Sequence, residues 1–171
     1  IPPVSDDFDI VRPEIYYGEI DNSFIIVNTN IDEFDYSKGD NNEYTKYSGK
    51  GGIQIDSFTK KVLLAIYFSD INIILNSDIT KESRILFTRT IQDRISKVVP
   101  FLSMDEDPYV VTVDGRIKWI QDAYTLTDRF PYSDTTSNFN YIRNPVKIVM
   151  DAYDGTLEFY LTDPSDPIFH T

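Results

Sequence analysis

Two short stretches carry the side chains best suited to gripping a ligand: Asp128-Arg129-Phe130-Pro131-Tyr132-Ser133 and Asn140-Tyr141-Ile142-Arg143-Asn144. Each sets an arginine beside aromatic residues within one polar, loop-like region. A guanidinium can hold a carboxylate or phosphate through two parallel N–H donors, and tyrosine rings can stack on sugars. Asp128, Arg129, Tyr132, Tyr141 and Arg143 are therefore the ligand-binding candidates. The plainer reading has the two arginines pair with Asp128, Asp134 or Asp151 and pin the loop.

Other constellations offer less. His170 is the single imidazole and stands one residue from the end of the 171-residue chain. A Ser-His-Asp triad needs a held, oriented histidine, and zinc sites draw on several His or Cys ligands. With no cysteine, there is no thiol nucleophile, disulfide or thiolate site. Gly49-Lys50-Gly51-Gly52 could present amides to an anion, but it lacks the P-loop spacing and also reads as a simple turn. Asp105-Glu106-Asp107 and Asp163-Pro164-Ser165-Asp166 carry oxygens suited to calcium, without the EF-hand spacing. With 28 acidic residues, carboxylate pairs for glycoside hydrolysis are available in principle, but only their separation in space could identify one. No metal or cofactor is expected, and no catalytic residue is assigned.

The charge argues about partners. The formal net charge is −12. Residues 1–44 hold 11 acids and 2 bases, net −9, and the remainder holds 17 acids and 14 bases, net −3. Such a chain repels phosphate backbones and anionic headgroups, so a nucleic-acid partner is not expected. The longest apolar run, Val62 to Phe68, has seven residues, where about 20 are needed to span a bilayer. The chain opens Ile-Pro-Pro, which reads as a segment of a longer protein. Absence of cysteine fits either a reducing cytosol or a bacterial cell surface.

The length suits one domain over residues 1–171, and 41% hydrophobic content is too high for general disorder. Glu14–Ile20 and Phe24–Asn28, around Asp21-Asn22-Ser23, predict a hairpin. Residues 29–52 predict a long loop. Asp56 or Ser57 predicts the N-cap of a helix to about Phe68, and residues 70–75 a short helix or strand. Thr80 predicts the start of a helix to about Val99, ended by Pro100. Two Asp-Gly dipeptides, at 114–115 and 154–155, each sit between β-rich runs and predict tight hairpins. Ile117, Trp119, Gln121 and Ala123 fall on one face of the first. Val146, Ile148, Met150 and Ala152 share a face of the second, with Leu157, Phe159 and Leu161 on the partner strand. The expected fold class is α+β: an antiparallel sheet built from β-hairpins, with a helical insertion packed on one face.

Long motifs occur in a distinctive order: Arg12-Pro13-Glu14-Ile15-Tyr16-Tyr17-Gly18-Glu19, Tyr47-Ser48-Gly49-Lys50-Gly51-Gly52, Asp114-Gly115-Arg116-Ile117-Lys118-Trp119-Ile120-Gln121-Asp122-Ala123-Tyr124-Thr125, Asp128 to Ser133, Asn140 to Asn144, and Val149-Met150-Asp151-Ala152-Tyr153-Asp154-Gly155-Thr156. In these the chain resembles uncharacterised protein family 0182, large bacterial membrane proteins. Pro145 departs from the small polar residue expected there and would loosen the start of its strand. The resemblance implies a parent with several membrane spans absent from this chain, localised to the cell membrane, with this segment extracytoplasmic. It transfers no activity and no catalytic residue. The expected function is a non-enzymatic module that binds an envelope protein or a wall polymer. The alternatives are a module that binds or hydrolyses cell-wall glycan, and a structural spacer within the parent.

Overall fold

The computed structural model describes residues 10–20, 23–38, 41–134 and 138–168. The fold is α+β, with antiparallel strand pairing and three helices among the described residues. The chain divides into two compact units, residues 1–7 with 22–88 and residues 8–21 with 89–171.

In the first unit, β1 (Ile25–Val27), β4 (Ile53–Gln54) and β5 (Arg84–Leu86) form a sheet in the order β1-β5-β4. The helix expected from residue 56 or 57 is α1 (Phe58–Phe68), and Ser57 caps it by accepting from the Lys60 amide at 3.4 Å. It stops at Ser69, which is left-handed (φ 55°) and returns its N–H to the carbonyls of Ala65 and Ile66. A four-residue helix, α2 (Asn72–Leu75), follows. Ile55, Leu64, Ala65, Ile73, Ile79 and Ile85 make the core, with Phe24 and Phe68 packed on it, their ring centroids 4.5 Å apart.

Three expectations fail in this region. Glu14–Ile20 does not pair with the next run; Ile25, Ile26 and Val27 pair instead with Leu86, Ile85 and Arg84. Consecutive Tyr16 and Tyr17 are both buried, which a strand with one wet face does not allow. The expected loop 29–52 contains a hairpin of β2 (Glu33–Lys38) and β3 (Asn41–Thr45), Lys38 opposite Asn41. Its Phe34 and Tyr44 meet edge to face while remaining exposed, so no buried face announced it. The expected helix 80–99 breaks in two: residues 84–86 are strand, and α3 is Ile91–Val98. Ser83 accepts from the Thr80 amide at 2.9 Å, a local competitor of helix, and donates to the distant Asn28 O at 3.0 Å. Thr88 is left-handed at φ 51°, which a continuing helix excludes.

The second unit contains α3 and a five-stranded antiparallel sheet: β6 (Ser103–Met104), β7 (Tyr109–Val113), β8 (Arg116–Thr127), β9 (Tyr141–Asp151) and β10 (Leu157–Leu161). Its order is β10-β9-β8-β6, with β7 also paired to β8. Both Asp-Gly turns connect strands as expected, with Gly115 and Gly155 at positive φ. Ile117, Gln121 and Ala123 are buried, as are Val146, Ile148, Met150 and Ala152. Phe159 and Leu161 are exposed, against expectation: both faces of β10, at the edge of the sheet, are left largely uncovered. Pro145 is accommodated where the β8–β9 register shifts: Ala123 faces Val146, whereas Thr125 faces Arg143. The extra residue in β9 places the proline at a bulge, where a missing N–H does no harm, and the strand continues back to Tyr141.

Tyr16-Tyr17-Gly18 ties the second unit together. The Tyr16 and Tyr17 amides both donate to Ala152 O at 2.9 Å, and Gly18 exchanges bonds with Arg89 and Ile91. Arg89 Nε donates to Tyr16 O at 2.6 Å, and Trp119 Nε1 to Tyr17 O at 3.1 Å. A Cβ added at Gly155 would lie 2.6 Å from the Tyr17 ring.

Candidate functional site

The five candidate ligand-binding residues belong to the loop from β8 to β9 and to the start of β9. Asn140 closes the base of that loop: its side chain accepts from the Phe130 amide and donates to Phe130 O, both at 2.9 Å, imitating a pair of strand bonds. Tyr141 stacks on Phe130 with centroids 4.5 Å apart and planes 19° apart, and its hydroxyl donates to Asp166 Oδ1 at 3.1 Å. Asp166 is fully buried; its Oδ2 accepts the Thr125 hydroxyl at 2.5 Å, and its Oδ1 also accepts the Ile168 amide at 2.8 Å. Desolvation first, and then the Asp166 carboxylate, push the Tyr141 hydroxyl above the usual phenol range.

Arg143 Nη1 donates to Asp163 Oδ2 at 2.9 Å and to Ser165 Oγ at 3.1 Å. Ser165 returns both its hydroxyl and its amide to Asp163 Oδ1. The Ser165 donors, with Arg143 as a lesser contributor, hold the Asp163 carboxyl below its ordinary value. Arg143 therefore pins the chain after β10, through a partner outside those expected for it. Asp151 is engaged elsewhere, by Arg116, which also bridges to Asp154 at 2.9 Å.

Arg129 and Tyr132 behave differently. The Arg129 side chain is 90% exposed, and among the described residues its ion-pair partner is its neighbour Asp128, at 3.7 Å, a weak contact in water. Tyr132 is fully exposed, at φ 59°. An open cleft of about 430 Å³ lies beside the loop, lined by Leu126, Thr127, Arg129, Phe130, Pro131, Pro167 and Ile168. Of the five candidates, only Arg129 lines it. Tyr141 and Arg143 are engaged with the 163–168 segment, so the candidates do not form one convergent pocket.

The remaining motifs have structural partners. At 49–52, the Gly51 amide donates to the Tyr47 hydroxyl at 2.8 Å, and Arg84 gathers the carbonyls of Lys50, Gly51 and Gly52. A loop that turns carbonyls toward a guanidinium and spends an amide on a tyrosine is a built turn and a poor anion cradle. Asp163 and Asp166 accept protein donors, as Asp105 does from the Glu106 amide. Among the described residues, no group of three His, Cys, Asp or Glu side chains is placed to hold a metal ion. His170 lies outside the described residues.

The feature that motif reading missed is a surface on the first unit. Leu63, Ile66 and Tyr67 of α1 are 60%, 70% and 66% exposed. Their i, i+3, i+4 spacing puts them on one side of the helix. Ile71 and Leu75, just beyond, are also largely exposed, and α2 packs against α1. The opposite side of α1 carries the buried Leu64 and Ala65. The signal was present in the sequence: Val62 to Phe68 is apolar on every side of the helix, a pattern of helices covered all round.

The whole chain, residues 1–171, matches the model of the uncharacterised protein family UPF0182. It is 52% identical to a UPF0182 protein of Desulforamulus reducens, with all of this chain and 19% of that protein covered. A UPF0182 protein of Pelobacter propionicus is 53% identical, over 98% of this chain and 19% of its own length. One of Pelotomaculum thermopropionicum is 45% identical, over 100% and 19%. The chain thus spans about a fifth of the length of the curated relatives it matches. No solved structure matches it. With its full length covered by the family model and by relatives at about half identity, the chain belongs to UPF0182.

Proposed function

We propose that this chain is an extracytoplasmic, non-enzymatic interaction module of a longer membrane polypeptide, and that it works through the outer side of α1 and α2. The observation that carries this reading is the exposed apolar stripe of Leu63, Ile66 and Tyr67, with Ile71 and Leu75 in the adjoining segment also exposed. Exposed apolar side chains gathered on one side of a helix mark interaction sites. The alternative of wall-glycan binding draws on the cleft beside Arg129 and the stacked Phe130–Tyr141 pair, but that stacking uses a ring face a sugar would need. Hydroxyl-radical footprinting of the intact protein in isolated envelopes tests the proposal. Tyr67 is expected to be oxidised several-fold less than the fully exposed Tyr132. Equal oxidation of Tyr67 and Tyr132 would sink it.

A further inference from the structure

We infer that the occupant of the α1–α2 surface is an apolar segment of the same polypeptide, contributed from outside these 171 residues. The inference rests on the interaction reading above and names its partner. Three observations support it. First, α1 is apolar on both sides yet only 11 residues long. That is too short to span a bilayer, so a helix of this kind is completed by protein on its second side. Second, the charges that border the exposed stripe are engaged locally: Asp70, between Tyr67 and Ile71, accepts from the Asn72 amide and side chain at 2.9 and 2.8 Å. α1 has no acidic residue, and its two lysines are engaged as well: Lys60 with Asp56 at 2.7 Å and with Gln54 O, and Lys61 with the carbonyls of Asn76 and Ile79 at 3.3 Å. Third, the curated relatives carry about four-fifths of their length beyond the matched region. A tethered apolar segment is present at a high effective concentration, so a modest apolar patch without charge pairing suffices to hold it. A free partner would need more area and better specificity.

The test is site-specific photocrosslinking in the full-length polypeptide. Benzoylphenylalanine replaces Ile66 or, separately, Leu75, both already open to solvent, with Asp128 as the control position. Light- and heavy-isotope copies are co-expressed so that links within one copy and between copies differ in mass. Links from positions 66 and 75 to peptides outside this segment, within one copy and absent from position 128, are expected. Mixed-isotope links, lipid adducts or links to another protein would overturn this inference while leaving the interaction reading intact. Absence of any link from both positions would overturn both.

Discussion

Asp166 shows how a residue that resembles a ligand site can be a fastener. Its carboxylate is fully buried and receives Thr125, Tyr141 and the Ile168 amide. Buried carboxylates persist only when donors replace water. Asp166→Ala would leave two hydroxyls facing an empty site and is expected to reduce stability by on the order of 2–4 kcal/mol, read by urea unfolding. Asp166→Asn should recover part of that loss, because the Thr125 hydroxyl can reverse and accept from an amide. An alanine variant as stable as wild type would show that the 163–168 segment is not anchored there. Tyr141 and Arg143 were legible as noteworthy side chains, since arginine and tyrosine in a polar stretch must find partners. That their partners would be Asp166, Asp163 and Ser165, some 20 residues onward, depends on how β9 and β10 bring the following segment back.

At the scale of elements, the two hairpins marked by Asp-Gly were readable because their cause is local. A tight turn needs positive φ, and glycine supplies it without strain. Gly155 has φ +67° with the Tyr17 ring pressed against it, and Gly52, also at +67°, would bring a Cβ to 2.2 Å from Ile85 O. Gly155→Ala and Gly52→Ala are each expected to lower stability by more than about 1 kcal/mol, combining backbone strain with the clash. Thermal unfolding checks this, and an unchanged midpoint for either would contradict the packing described. Elements whose cause is not local were misread. Ile25–Val27 pairs with a strand almost 60 residues later, and nothing in its own residues names that partner. The span 80–99 has enough apolar residues for a helix, but Thr88 in the left-handed region and the pairing of Arg84–Leu86 divide it.

For the whole molecule, the question is which apolar residues already have their cover. Ile85 is fully buried, whereas Ile66 on the outer side of α1 is mostly exposed. In the 171-residue chain, Ile85→Ala should cost about 2–5 kcal/mol, while Ile66→Gln should stay within about 0.5 kcal/mol of wild type. Urea unfolding of the two variants compares them directly. A large loss for Ile66→Gln would mean that its side chain is already packed in this chain and that the surface is not open. Covering Leu63, Ile66, Ile71 and Leu75 in the parent would contribute roughly 1–2 kcal/mol each, less than full burial because each is partly covered now. By itself, the order of residues determined the class of fold, the capped helix at 57–68, both Asp-Gly hairpins and the buried faces of β8 and β9, because turn geometry, capping and period-two alternation act between near neighbours. It also determined family membership, through motifs running the length of the chain. Only the tertiary structure decided that Glu14–Ile20 threads the second unit instead of pairing with Phe24–Asn28. It alone decided that the candidate arginines and tyrosines part company and that one helix keeps an apolar side open. Each of these depends on contacts between residues distant in sequence, where burial and hydrogen-bond satisfaction outweigh local preference.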